Sequence, residues 1–201
     1  MPTSREFRRA VLGLHQSLLD RAAVDLAAEF ARLLRLDMYG LFIEEPGITG
    51  LAGLPFAREF RPLGGEWRPL DVEQLTREIE LAAQAARRLI TEAAASRRIA
   101  CSFEVVRART EQALETVSEA TDIIVIAEPR SAVDRIAGAF PGLAAAAFRS
   151  KASVMLLPRY VVRTQGPVIA IAASPDDPAI DAAISIAVAA NEDPIVVGEF
   201  D

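Results

Sequence analysis

Apolar residues recur along this chain in short unbroken runs, separated by stretches with helical spacing. Residues 10–14 form a continuous apolar run of strand length. Strands covered on both faces look like this, as in a parallel sheet between helices. Leu19, Ala22, Ala23, Leu26, Phe30, Leu33 and Leu34 then fall on one helical face, with Arg21, Asp25, Glu29 and Arg32 on the other. The spacing predicts a helix over 18–36, headed by Ser17 and Asp20 in a capping-box-like start. Residues 38–43 are a second apolar strand. Strand, helix, strand in about 35 residues is a βαβ unit with a right-handed crossover.

Residues 45–70 break the pattern with five glycines and four prolines, and predict a long irregular loop carrying Phe56, Phe60 and Trp67. Loops of this length are uncommon; this one either folds back on its own domain or serves as a lid or contact surface. Asp71 with Gln74 starts a long helix to about residue 96. Residues 101–107 alternate, with Cys101, Phe103 and Val105 on one face, which predicts a half-exposed edge strand with Cys101 as a packed thiol. Thr110 is the expected cap of a short helix over 111–119. Residues 123–127 are the most strand-like run and should be central. A helix over 131–148, interrupted by Pro141 and Gly142, leads to a last strand over 154–157, stopped by Pro158. Residues 1–160 therefore read as one α/β domain, a doubly wound parallel five-stranded sheet with helices on both faces.

Beyond Arg163 the pattern begins again. Residues 168–172 form an apolar strand, and Ser174-Pro175-Asp176-Asp177 supplies a helix start, with Ser174 as cap and Pro175 at the first helical position. An Ala-rich helix over 179–190 and a short strand over 194–197 follow. The order matches that of residues 10–44, so 164–201 reads as a partial second repeat, a C-terminal βαβ extension. A lone βαβ unit cannot cover its own apolar faces. It must extend the first sheet, pack on another subunit, or belong to a longer protein.

Composition narrows the function. The 201 residues carry 22 basic and 28 acidic side chains, a net charge of −6, which argues against nucleic acid or anionic lipid as the main partner. No apolar run reaches the roughly 18 residues of a membrane span. The first nine residues, with Arg5, Arg8 and Arg9, lack the pattern of a signal peptide. The single cysteine suits a reducing cytosol, so a cytoplasmic location is expected. His15 is the only histidine, which rules out a His-based metal cluster or a Ser-His-Asp triad within one chain. P-loop, CxxC and GxSxG motifs are also missing, so neither an enzyme nor a cofactor is expected.

Several pieces in order resemble the universal stress protein family. They are residues 10–14 with Gln16 and Ser17, the helix end Leu33-Leu34-Arg35-Leu36-Asp37, and the strand Leu41-Phe42-Ile43. Phe103-Glu104-Val105-Val106, Glu111-Gln112-Ala113-Leu114-Glu115, Thr121-Asp122-Ile123-Ile124-Val125-Ile126 and Ala152-Ser153-Val154-Met155-Leu156-Leu157-Pro158 continue it. The resemblance covers about residues 8–160 and implies strand order 3-2-1-4-5. It also implies a homodimer in which the fifth strand, Ser153, Val154, Met155, Leu156 and Leu157, meets its counterpart, with the C-terminal extension beside it.

In such a sheet, ligands sit at the carboxyl ends of the strands flanking the point where strand order reverses, here the first and fourth. The candidate ligand contacts are His15, Gln16, Ser17, Ala127, Glu128 and Arg130, with Ile43 and Arg107 at the ends of the second and third strands. The resemblance implies that an ATP site would need an Asp after the first strand and spaced glycines after the fourth, because bare backbone lets N–H groups reach phosphates. Here His15 stands at the Asp position, Ala127 and Arg130 at the first two glycines, and Phe140 and Pro141 at the last glycine and the hydroxyl. The expected function is a non-catalytic, universal-stress-type protein acting in stress response through dimerisation or association with a regulatory protein. The alternative is a sensor that binds a nucleotide or another small anion in the same crevice.

Overall fold

The protein is described by a computed structural model over residues 7–14, 20–61, 65–129, 131–137, 139–157, 166–172 and 174–198. The apolar runs become β1 (Arg9–Leu14), β2 (Asp37–Glu44), β5 (Cys101–Arg107), β6 (Asp122–Ala127) and β7 (Ser153–Leu157). All four pairings among them are parallel, in the order β5-β2-β1-β6-β7. Counted among themselves these strands run 3-2-1-4-5, the order the resemblance implies. β1 and β6 lie at the centre and are buried on both faces.

The helices sort by face. On one side α1 (Arg21–Leu34) packs against α3 (Val72–Arg97), over Ala10, Leu12, Met38, Phe42 and Val125. On the other, α4 (Thr110–Val117) packs against α6 (Ala139–Arg149), over Val11, Leu41, Ile124 and Ile126. The alternation of one strand's residues between the two cores is the period-2 pleat. Where β2 meets β5 the neighbouring side chains occupy the space beside Gly40. A Cβ on Gly40 would lie 2.5 Å from Ile90 Cδ1 and 2.7 Å from Phe103 Cδ2.

The helix starts partly depart from the sequence reading. Asp71 caps α3 as expected, accepting from the backbone N–H groups of Glu73 and Gln74. α1 begins at Arg21, capped by Asp20, which accepts from the Ala22 N–H; Ser17 lies outside the described residues. Thr110 is the first residue of α4 rather than its cap, because its hydroxyl donates to Glu45 Oε1 at 2.6 Å. Pro141 sits in the first turn of α6 and breaks nothing, since N–H groups there have no helical partner. Pro158 lies outside the described residues.

The stretch read as a 25-residue loop holds α2 (Pro46–Ala52) and a hairpin of β3 (Arg58–Arg61) and β4 (Glu66–Pro69). Pro46 stands at the first turn of α2, where its fixed φ favours a helix. The hairpin strands have four residues each, too few for the pattern to stand out among glycines and prolines. On β5 the alternation is incomplete, since Val105 is exposed and Cys101 is exposed rather than packed.

After β7 the chain forms β8 (Val168–Ile171), α7 (Pro178–Ala190) and β9 (Pro194–Val197). The cap of α7 is Asp177, with Pro178 at the first position, three residues later than the Ser174 start expected. β8 and β9 pair in parallel as a separate two-stranded sheet and do not extend the main one. α7 instead packs against α1, and its Ile186 joins the core that contains Leu157.

The central strands are tied by one buried charge pair. Arg9 donates from Nε and Nη2 to the two oxygens of the fully buried Asp122 carboxylate, at 2.9 and 2.7 Å. Asp122 also accepts from the Glu119 N–H at 2.8 Å, and the Arg9 guanidinium lies over the Tyr39 ring. Arg9→Met leaves that carboxylate buried without its cation. The expected loss is about 3 kcal/mol, read from the urea midpoint at unchanged m-value.

Candidate functional site

The switch in strand order falls between β1 and β6, whose helices depart to opposite faces. Their register runs from Arg9 opposite Asp122 to Leu12 opposite Val125. The carboxyl end of this gap is lined, among the described residues, by Leu12, Gly13, Leu14, Asp20, Ala23, Val24, Ala127 and Leu143. The free cavity is about 10 Å³. That is room for about one water, against roughly 300–1,000 Å³ for a ligand pocket.

Leu143 fills the space. It is buried on α6 and rests on Gly13 of β1, where a Cβ would come within 2.9 Å of its Cδ1. The glycine does at this tip what glycines in phosphate sites do, since it admits a close neighbour. Here the neighbour is an aliphatic side chain of the same protein.

Of the expected ligand contacts, His15, Gln16, Ser17 and Arg130 lie outside the described residues. Ala127 lines the small cavity and packs on the core. Glu128 follows it, its N–H donating to the Leu157 carbonyl at 2.9 Å and its carboxylate pairing with Arg135 of α5 (Ala132–Ala137) at 3.1 Å. Ile43 is buried in the same core as Leu143. Arg107 belongs to the edge strand β5, with β2 between it and β1. It donates to Thr49 Oγ1 at 3.2 Å and pairs with Glu44 at 3.5 Å. The structure thus does not bring Ile43 or Arg107 to the crevice as ligand contacts.

Arg107 takes part in a second polar group at the carboxyl edge of β2 and β5. With the Thr110–Glu45 bond, its contacts to Glu44 and Thr49 tie α2 to β5 and α4. The adjacent carboxylates Glu44 and Glu45 were the visible signal for this group, but nothing in their spacing shows which hydroxyl or guanidinium they meet.

Shifted acidities lie away from the crevice. Tyr39 is pushed up to about 12, first by burial and then by the hydrogen bond its phenol donates to Glu104. Desolvation also raises the Cys101 thiol, the reverse of what an activated cysteine needs. Among the described residues no group of three or more His, Cys, Asp or Glu side chains is placed to hold a metal ion, and no helix is long and apolar enough to cross a membrane.

No family model matches this chain, and no curated protein matches it. Among solved structures it is similar to a universal stress protein crystallised in complex with cAMP, at 17% identity and a TM-score of 0.47, over 76% of this chain and 98% of that one. It is also similar to a universal stress protein from Archaeoglobus fulgidus, at 15% identity and a TM-score of 0.44, over 75% and 93% of the two chains. These are likenesses of fold.

Proposed function

We propose that this chain is a universal-stress-type protein of the cytoplasm that acts in stress response by association, as a homodimer or with a regulatory protein, and performs no catalysis. The observation that carries this reading is the crevice between β1 and β6, occupied by Leu143 against Gly13 down to about 10 Å³. A triphosphate there would displace a core leucine and sit beside Glu128. Two like charges about 4 Å apart cost about 4 kcal/mol at an effective dielectric of 20. The ion pair to Arg135 lessens that repulsion.

Association has a surface to use. β7 is an edge strand of the five-stranded sheet, and its Leu156 is half exposed. Ser153 and Val154 share a cleft with β8 and α7, so the C-terminal extension borders the same edge. The homodimer of this reading joins two copies at β7, with the extension beside the contact.

Calorimetric titration of the full chain with MgATP, and separately with cAMP, is expected to give no binding heat up to millimolar ligand and no rise in melting temperature. Micromolar binding of either would establish the sensor reading instead. Leu143→Ala removes the plug and is expected to cost about 2–4 kcal/mol in chemical denaturation, as core leucine truncations do; a loss under about 1 kcal/mol would show that the crevice is not packed. Leu156→Asp is expected to lower the sedimentation coefficient by weakening the β7 contact, and an unchanged coefficient would place the dimer elsewhere.

A further inference from the structure

The β3–β4 hairpin stands apart from the five-stranded sheet. It is inserted in the chain between β2 and α3, after α2, which Thr49 ties to Arg107 of β5. Its register sets Phe60 opposite Trp67 and Arg58 opposite Pro69 on one face, with the rings of Phe60 and Trp67 5.3 Å apart. Glu59 opposite Arg68, and Arg61 opposite Glu66, occupy the other face. The hairpin is therefore amphipathic, and the face that carries its aromatic rings is open to solvent. Phe60 is 49% and Trp67 63% exposed. Phe56, in the turn before β3, is 74% exposed, and Leu51 of α2 and Leu54 are exposed as well.

We propose that this aromatic face is a self-association surface that takes the same face of a second copy of the chain, distinct from the β7 contact. Two observations select that occupant. The first is area. At roughly 200 Å² per large side chain, these five residues leave about 570 Å² open, or about 1,100 Å² over two copies, above the roughly 1,000 Å² that a specific interface buries in total. The second is charge. Residues 58–69 carry three arginines and two glutamates in a chain of net charge −6. The hairpin is nearly neutral, so two copies meet there without the repulsion their remaining surfaces exert. It also lacks the clustered cations that an anionic lipid surface or a nucleic acid would require. Matching faces that each present Phe60 and Trp67 suit an isologous two-fold contact, in which every residue meets its own counterpart region.

Light scattering coupled to size exclusion, on the whole chain at about 5–100 µM, tests this. The Phe60→Ser/Trp67→Ser double variant, with an unchanged far-ultraviolet circular dichroism spectrum, is expected to show half the wild-type molar mass. Trp67 is the only tryptophan, so wild-type emission is expected to shift to the red on dilution as the ring becomes wet. A double variant that keeps the wild-type mass overturns the proposal, as does a wild type that is monomeric throughout. If Leu156→Asp alone abolishes all association while the hairpin is intact, the β7 contact suffices and the proposal falls. A wild-type monomer that co-sediments with phosphatidylcholine–phosphatidylserine vesicles (3:1) would instead assign the face to lipid. Should the double variant misfold, the wild-type emission decides, and a maximum that does not move across the dilution series overturns the proposal.

Discussion

A parallel sheet must be covered on both faces, and that requirement places the helices of this protein. β1 and β6 have apolar residues at nearly every position, so neither face can meet water. α1 and α3 supply one cover, and α4 and α6 the other. The first cover is extended by α7, which packs beside α1 and sends Ile186 into the core near the β7 edge. The Arg9–Asp122 pair sets the two central strands against each other within this stack. Both of its partners are heavily hydrogen-bonded, and this makes a buried carboxylate tolerable there.

The same packing decides what the switch point can hold. A doubly wound sheet leaves a crevice where its strand order reverses, and a ligand enters if the adjoining helix stands off. Here α6 leans on the tip of β1, with the missing side chain of Gly13 as the space it uses. Among the described residues, Glu128 just after β6 is committed to an internal contact with Arg135.

The outside of the protein is unevenly finished. The hairpin displays aromatic rings, and β8 and β9 expose Ile169, Ile171, Ile195 and Val197, which share one face of that two-stranded sheet. Elsewhere on the surface, charges pair across the helices, as in Arg32–Glu29 and Arg149–Glu111.

The order of strands and helices was legible because unbroken apolar runs and helical spacing are local signals. Residues 10–14, 38–43 and 123–127 declared buried parallel strands, and Asp71 declared the start of α3, without reference to any distant residue. Even the strand pairing of the tail, residues 168–171 with 194–197, followed from the same local pattern. Tertiary structure alone decided the rest. Whether the crevice is open depends on Leu143 meeting Gly13 across 130 positions of chain, and Arg107 is turned from an anion contact into a tie for α2 by Glu44 and Thr49. The hairpin was hidden because four-residue strands gain their stability from each other, and the place of α7 because only the assembled sheet shows which edge still needs cover. Contacts between residues far apart in the chain leave no periodic trace along it, so packing, and not pattern, determines what this protein's surfaces and crevices can do.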